Sequence, residues 1–290
     1  MTRYRRWRRR RRLDRESGLS PAPRKWWRRI RILGYVLLLA LLVDLAYVRA
    51  IWPDWNRYKT GAVPESSFIQ RYEALRVKKG WPPLQWTPVS LDRISEHMRR
   101  AAIVGEDARF YEHHGIDFIA LRDALKYNIN DRRIAFGGST ISQQTTKNLF
   151  LSSARTPLRK WHELLLTLGM EHHLSKNRIL ELYLNIAQFG RGIYGVEAAS
   201  QYYWGIPASD LSEQQAAELA ASLPDPVREN PATGGRRFEH RVQKILYWMH
   251  PPAVENPPGP GSQSKEVPGS GGEAAKNGGG NGTSTAGGAL

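Results

Sequence analysis

The chain has 290 residues and a formal net charge of +16, enough length for one substantial domain with appendages. Fourteen Lys and Arg fall within residues 1–31 against only Asp14 and Glu16. The positive charge is therefore that of a tail, which excludes a nucleic-acid binder with its charge spread over a folded surface. Cysteine is absent, so disulfides and thiol chemistry are excluded and the compartment is left open.

Behind the basic tail, residues 32–48 read ILGYVLLLALLVDLAYV, an apolar run with one acid, Asp44, near its far end. This length is at the lower limit for a membrane-spanning helix, and Trp52 and Trp55 can serve as interfacial anchors. A cleaved signal peptide and a buried core helix are the alternatives. Against cleavage, no small-x-small site follows and the basic region is very long. The expectation is an uncleaved anchor over residues 32–50, with residues 1–31 held in the cytoplasm by their charge. Trp7, Trp26 and Trp27 among the arginines would also fit RNA, but attraction to anionic lipid is the simpler account beside an apolar span.

Residues 53–88 are rich in Trp, Tyr and Pro without a sustained period, and read as a linker and an irregular start of the domain. Ser90 is a fair cap for a helix through Val104, with Leu91, Ile94, Met98 and Ala101 as its buried stripe. That helix should run out at Gly105, leaving Glu106 at its end. Asp117 looks like the cap of the next helix, with Phe118, Leu121 and Leu125 at helical spacing. Thr140 and Gln143 match a capping box, so Ser139 and Thr140 should lie at a helix N-terminus offering N–H groups to an anion.

Residues 137–163 then combine a Gly-Gly, a run of hydroxyl and amide side chains, four cations (Lys147, Arg155, Arg159, Lys160) and the carboxylate Glu163. Lys and Arg are the usual partners of phosphate oxygens, and the P-loop spacing is absent. The pattern points to a phosphate or diphosphate site, or to a Gly loop and a helix with merely solvated charges. In the helix over 158–168, Trp161, Leu164, Leu165 and Leu168 form the apolar side, while Arg159, Lys160 and Glu163 share another face. Ser175 should cap a helix with Ile179, Leu182, Tyr183 and Ile186 inside. A loop over 190–195, a short helix over 196–203, a capping box at Ser212 and Gln215, a stop at Pro224 and a last helix around 238–249 complete the domain. His172 and His173 have no metal-ligand spacing. No sheet period of any length appears. Residues 251–290 are Gly, Pro, Ser and Asn with few apolar residues, a composition that cannot support a core. Ser262 and Lys265 fit SxxK by chance in this tail.

The motifs EDxxFxxHxG (Glu106, Asp107, Phe110, His113, Gly115), GxSTxxQQxxKN (from Gly137 to Asn148) and RKxxE (Arg159, Lys160, Glu163) occur in order. ILExYLN (from Ile179 to Asn185) and GxxGxxAAxxYY (from Gly192 to Tyr203) follow. Over residues 91–231 the chain resembles the peptidoglycan glycosyltransferase domain (glycosyltransferase family 51), in particular the monofunctional biosynthetic peptidoglycan transglycosylases. The resemblance implies a mainly α, lysozyme-like helical glycosyltransferase domain over residues 51–250, behind a single N-terminal transmembrane helix. It implies polymerisation of lipid II into linear β-1,4 glycan with release of undecaprenyl diphosphate and inversion at the donor anomeric carbon. Cross-linking is not expected, because only the 251–290 tail follows.

The resemblance casts Glu106 as base and Glu163 as the second carboxylate, which orients the cations or holds a divalent metal (Mg or Mn) against the diphosphate. Lys147, Arg155, Arg159 and Lys160 would take the diphosphate. Ser139, Thr140, Gln144 and Asn148 would hold sugar or phosphate, or simply fix the loop. Asp107, Phe110 and His113 would support the site. No covalent cofactor and no nucleic acid is implied; the partners are lipid II, the growing strand, the bilayer and other cell-wall synthesis proteins, at a bacterial inner membrane with an extracytoplasmic domain. Relatives often read Tyr-Phe-Gly-Lys where this chain has Tyr203-Trp204-Gly205-Ile206, which affects local packing. Two other readings stay open: a lysozyme-like hydrolase or lytic transglycosylase, which would have no use for four phosphate-binding cations, and a non-enzymatic membrane scaffold.

Overall fold

Pro21 and Pro23 precede the first helix and Pro53 follows it, and between them no proline interrupts the chain. Helix α1 therefore runs over Arg24–Ile51, beginning earlier than the apolar run because the arginines and tryptophans before it are helix-compatible. Its segment Trp26–Ile51 has a mean hydropathy of 2.0 and is long and apolar enough to cross a membrane. The structure, a computed structural model, describes residues 24–123, 138–154 and 156–250. The expectations for the tails at 1–23 and 251–290, for Leu125, Gly137 and Arg155 lie outside the described residues.

The stretch read as an irregular linker holds two helices, α2 (Asn56–Lys59) and α3 (Ser67–Lys79). The Ser66 hydroxyl accepts from the Ile69 N–H to start α3, and Gly80, at φ 62°, ends it. Few of its side chains are buried, only Ile69 and Tyr72 fully, so no clear apolar stripe marks it in the sequence. The expected helix from Ser90 is also corrected. Leu91–Arg93 forms a 3₁₀ turn, the chain extends at Ile94, and Ser95 caps α4 (Glu96–Glu106) through the Met98 N–H. Gly105 lies inside α4, where a Cβ would come within 3.3 Å of the Ile245 side chain. Glu106 is thus the last residue of the helix and Asp107 its C-cap.

Helix α5 (Ile141–Phe150) opens on the expected capping box, with Thr140 and Gln143 bonded reciprocally. Helix α6 (Pro157–His173) follows with Thr156 as cap and Pro157 at its start. Helix α7 (Lys176–Ile186) is capped by Ser175 and buries Ile179, Leu182, Tyr183 and Ile186 as its spacing requires. A three-stranded sheet comes next, missed because its strands are two or three residues long. Strands β1 (Gln85–Trp86), β2 (Gln188–Gly190) and β3 (Ile193–Tyr194) lie in the order β1–β3–β2, with β1 and β3 parallel and β2 and β3 antiparallel. Helices α8 (Val196–Trp204), α9 (Glu213–Ser222) and α10 (Arg236–Met249) complete the domain, α9 on the expected capping box at Ser212 and Gln215.

Two packing groups share one core. Helix α9 lies against α4 and α10, while α5 lies between α6 and α7. Tyr183, Phe110, Phe189, Met98 and Leu166 are among the largest side chains fully removed from water, so burial of apolar area holds the helices together. The 3.6-residue period places α6 differently from expectation. Trp161 and Leu168 are 47% and 45% exposed, and its buried face carries His162, Glu163, Leu166, Thr167, Gly169 and Met170. Periodicity shows which residues share a face, not which face meets the core.

Candidate active site

Glu106 reaches the site from the end of α4, half-buried, and its Oε2 accepts from Gln144 Nε2 at 2.6 Å. Loss of water raises the Glu106 carboxyl above its ordinary value, against the Gln144 hydrogen bond and the Lys147 charge, which lower it. Asp107 next to it turns the other way. It is buried, and its Oδ2 accepts the Ile141 N–H at 3.0 Å while both oxygens face His113 Nε2 at 2.9 and 3.1 Å. His113 Nδ1 in turn accepts from the Gly115 N–H at 3.2 Å, which leaves the proton on Nε2. Burial raises the Asp107 carboxyl, opposed by His113 and the Ile141 N–H.

The N-terminus of α5 is therefore occupied from within. Asp107 takes one N–H group, and Thr140 takes another through the Gln143 N–H while its own hydroxyl donates to the Gly115 carbonyl at 2.7 Å. This differs from the expectation that the terminus offers its N–H groups to an outside anion. Thr140 is 3% exposed, and its hydroxyl serves the turn. Phe110, fully buried beneath the Glu106–Gly115 loop, packs against His113.

The cations meet one turn further on. Ser139, Gln144, Lys147, Arg159, Lys160 and Glu163 line a cavity of about 310 Å³, with Phe68 and Ser153 on its rim. The Lys147 ammonium is 5.9 Å from the Phe68 ring, and burial lowers its affinity for a proton while Glu163 raises it. Arg159 Nη1 and Lys160 Nζ both donate to Glu163, and Lys160 Nζ also reaches Ser139 Oγ at 3.3 Å. Arg159 Nε is buried and has no hydrogen-bond partner among the described residues. A smaller cavity of about 160 Å³ adjoins, lined by Gln144, Lys147, Asn148, Tyr183 and Gln188 among others. Gln144 and Lys147 border both, so Glu106, hydrogen-bonded to Gln144, is tied to the pair of cavities.

Glu163 is 2% exposed, which replaces the picture of a solvated surface pair with that of a buried carboxylate neutralising two cations. Each of its oxygens is held by a cation, which suits Glu163 to orienting Arg159 and Lys160. Asp107, His113 and Asp117 offer closely spaced ligand atoms. They are already bonded to Ile141 N–H, Gly115 N–H, Ala120 N–H and Arg109, and no step is assigned to a metal there. His173 stacks on Trp55 and bonds the Gly169 carbonyl, so it is structural.

Sequence reasoning missed Phe68, because α3 showed no stripe, and gave Tyr183 and Gln188 no place beside the cations. Tyr183 was legible as a buried helix residue, but its neighbourhood to Gln144 depends on how α7 packs on α5.

Residues 78–250 match the family model described as Transglycosylase. The chain belongs to the transglycosylase family. A relative from Bordetella avium (strain 197N), named biosynthetic peptidoglycan transglycosylase, is 46% identical over 234 residues, covering 78% of this chain and 95% of the relative. Relatives of the same name are 45% identical over 191 residues in Nitrosomonas eutropha (66% of this chain, 78% of the relative) and 39% identical over 231 residues in Azoarcus sp. BH72 (79% and 97%). The region matched to the transglycosylase model contains every described site residue expected from the sequence, whereas α1 and Phe68 lie before it.

Proposed function

We propose that this transglycosylase polymerises lipid II into linear β-1,4 glycan strands on the outer side of a bacterial inner membrane. The observation that carries the reading is the coupling, through Gln144, of a base-ready carboxylate to a cation-lined cavity. The 4-hydroxyl of the acceptor sugar attacks the anomeric carbon of the donor strand. Its proton passes to a Glu106 oxygen, the new C–O bond forms as the bond to the diphosphate oxygen breaks, and the α-linked donor becomes a β-linked product. Lys147, Arg159 and Lys160 stabilise the charge that grows on the departing diphosphate. Arg155 belongs with them by sequence. Diphosphate leaves without a strong acid, so the second carboxylate is free for another task. Glu163 holds Arg159 and Lys160 in register, in place of the acid of a glycosidase pair. Ser139 and Asn148 border the cavities as hydrogen-bonding groups for phosphate and sugar, and α1 holds the domain at the membrane.

The biosynthetic names of the relatives and the cation cavity both weigh against a hydrolase. Detergent-solubilised protein and labelled lipid II test the reading. Wild type should make long glycans. Glu106→Gln should lose about 10²–10⁴-fold, the contribution of general base catalysis, and Glu163→Gln at least about tenfold through misplaced cations. Folded wild-type protein that makes no polymer but cleaves preformed glycan would overturn the proposal.

A further inference from the structure

The membrane helix is attached to the catalytic domain by a polar clasp. Asp44, the one carboxylate in its apolar run, has Oδ1 2.6 Å from His162 Nε2, and its Oδ2 accepts from Trp161 Nε1 at 3.2 Å. An ionised carboxylate only accepts, so His162 Nε2 carries the proton. The ring of Tyr47, one helical turn on, lies 4.9 Å from that of His162. Further along α6, a Cβ on Gly169 would come within 2.8 Å of the ring of Trp52 and 2.9 Å of Trp55, both just past the end of α1. Asp44 and Tyr47 of α1 thus touch the first turns of α6, and the tryptophans just past the end of α1 touch it again at Gly169.

Two features give this contact a use. The first is depth. Trp26 and Trp27 are exposed and suited to one membrane interface. From Trp26 to Asp44 the helix rises about 27 Å at 1.5 Å per residue, close to the ~30 Å thickness of the hydrocarbon. Asp44 therefore arrives at the opposite interface, the level of lipid headgroups. The second is position on α6: His162 and Trp161 sit on the same two turns as Arg159, Lys160 and Glu163. Apolar contacts such as those at Gly169 hold two segments together but tolerate slip along them; a directional polar pair sets register.

We propose that Asp44 is a positioning residue that clamps α6 to the membrane anchor and sets the depth at which Arg159 and Lys160 meet a lipid-linked diphosphate. This rests on the reading that the substrate is lipid-linked. A domain free to tilt about its anchor must lose that freedom each time it captures a headgroup held at fixed depth, and the clamp removes the loss in advance.

The test is polymerisation of lipid II in liposomes, with substrate varied by mole fraction. Asp44→Ala and His162→Phe should each raise KM about tenfold, as expected for loss of a hydrogen bond to a charged group. In both, kcat should stay within about twofold, because the clasp touches no reacting atom. Their combination should be no worse than either alone, and Asp44→Glu should recover much of the loss. Asp44→Asn keeps the side-chain volume and is read in the same way should the alanine variant fold poorly. Wild-type KM in these variants, or an equal fall in kcat without recovery by glutamate, would overturn the inference. An inactive wild type would instead count against the proposed function.

Discussion

Glu106 and Asp107 are neighbours in sequence with the same functional group and different work. Asp107, buried against His113 and the Ile141 N–H, ties the end of α4 to the start of α5. For Glu106 the loss of water outweighs the Gln144 hydrogen bond and the charges of Lys147 and Arg241, so its carboxyl stays above the ordinary range. The reactive form is the carboxylate, so activity should rise with pH through that raised value and be lost below it. Gln144→Leu removes the hydrogen bond that lowers the value and should move the acid limb of kcat/KM to higher pH. A pH profile in detergent checks this; a limb that stays put or moves down would contradict the assignment. Thr140 makes the same point differently: a hydroxyl that reads as a ligand to phosphate is engaged by Gly115 and Gln143.

Among the elements, α7 and α6 show how a motif residue comes to be needed. Asn185 closes ILExYLN, yet it lies apart from the cation cavity and is wholly buried. Its Oδ1 accepts the Val89 N–H at 2.8 Å, and its Nδ2 donates to the carbonyls of Val89 and Glu181. The side chain thereby fastens the extended segment after β1 to the end of α7. Asn185→Ala leaves both Val89 groups unpaired and should cost about 2–4 kcal/mol, one or two unmade buried hydrogen bonds with a small cavity. Denaturant unfolding of the variant measures it; a loss under about 0.5 kcal/mol would show that the fastening is dispensable. In α6 the stripe Trp161, Leu164, Leu165 and Leu168 was legible as one face. That Trp161 and Leu168 stay exposed follows from the inward set of Glu163, Leu166, Thr167 and Met170, which the core of α5 and α7 selects, whereas His162 is covered by Asp44 and Tyr47 of the anchor.

At the scale of the molecule, α1 fits a single-pass membrane anchor, and the proposed orientation keeps the basic residues 1–31 in the cytoplasm. Deleting residues 2–23 should leave kcat/KM in detergent within about twofold of wild type, because orientation is a membrane property. In cells the same deletion should yield a mixed population by protease accessibility. A collapse of activity in detergent would mean instead that the tail acts on the catalytic domain.

The sequence by itself determined the membrane helix, the caps at Asp117, Thr140, Ser175 and Ser212, and the sharing of one face by Arg159, Lys160 and Glu163. All of these depend on local periodicity and on side chains that bond their own backbone within a turn or two. The tertiary structure alone decided that Gln144 joins Glu106 to the cations, that Glu163 is buried, that Phe68 enters the site from α3, and that Asp44 reaches His162. The Glu106–Gln144 hydrogen bond spans 38 positions and the Asp44–His162 contact 118. They depend on how whole helices pack, which no window of neighbouring residues contains.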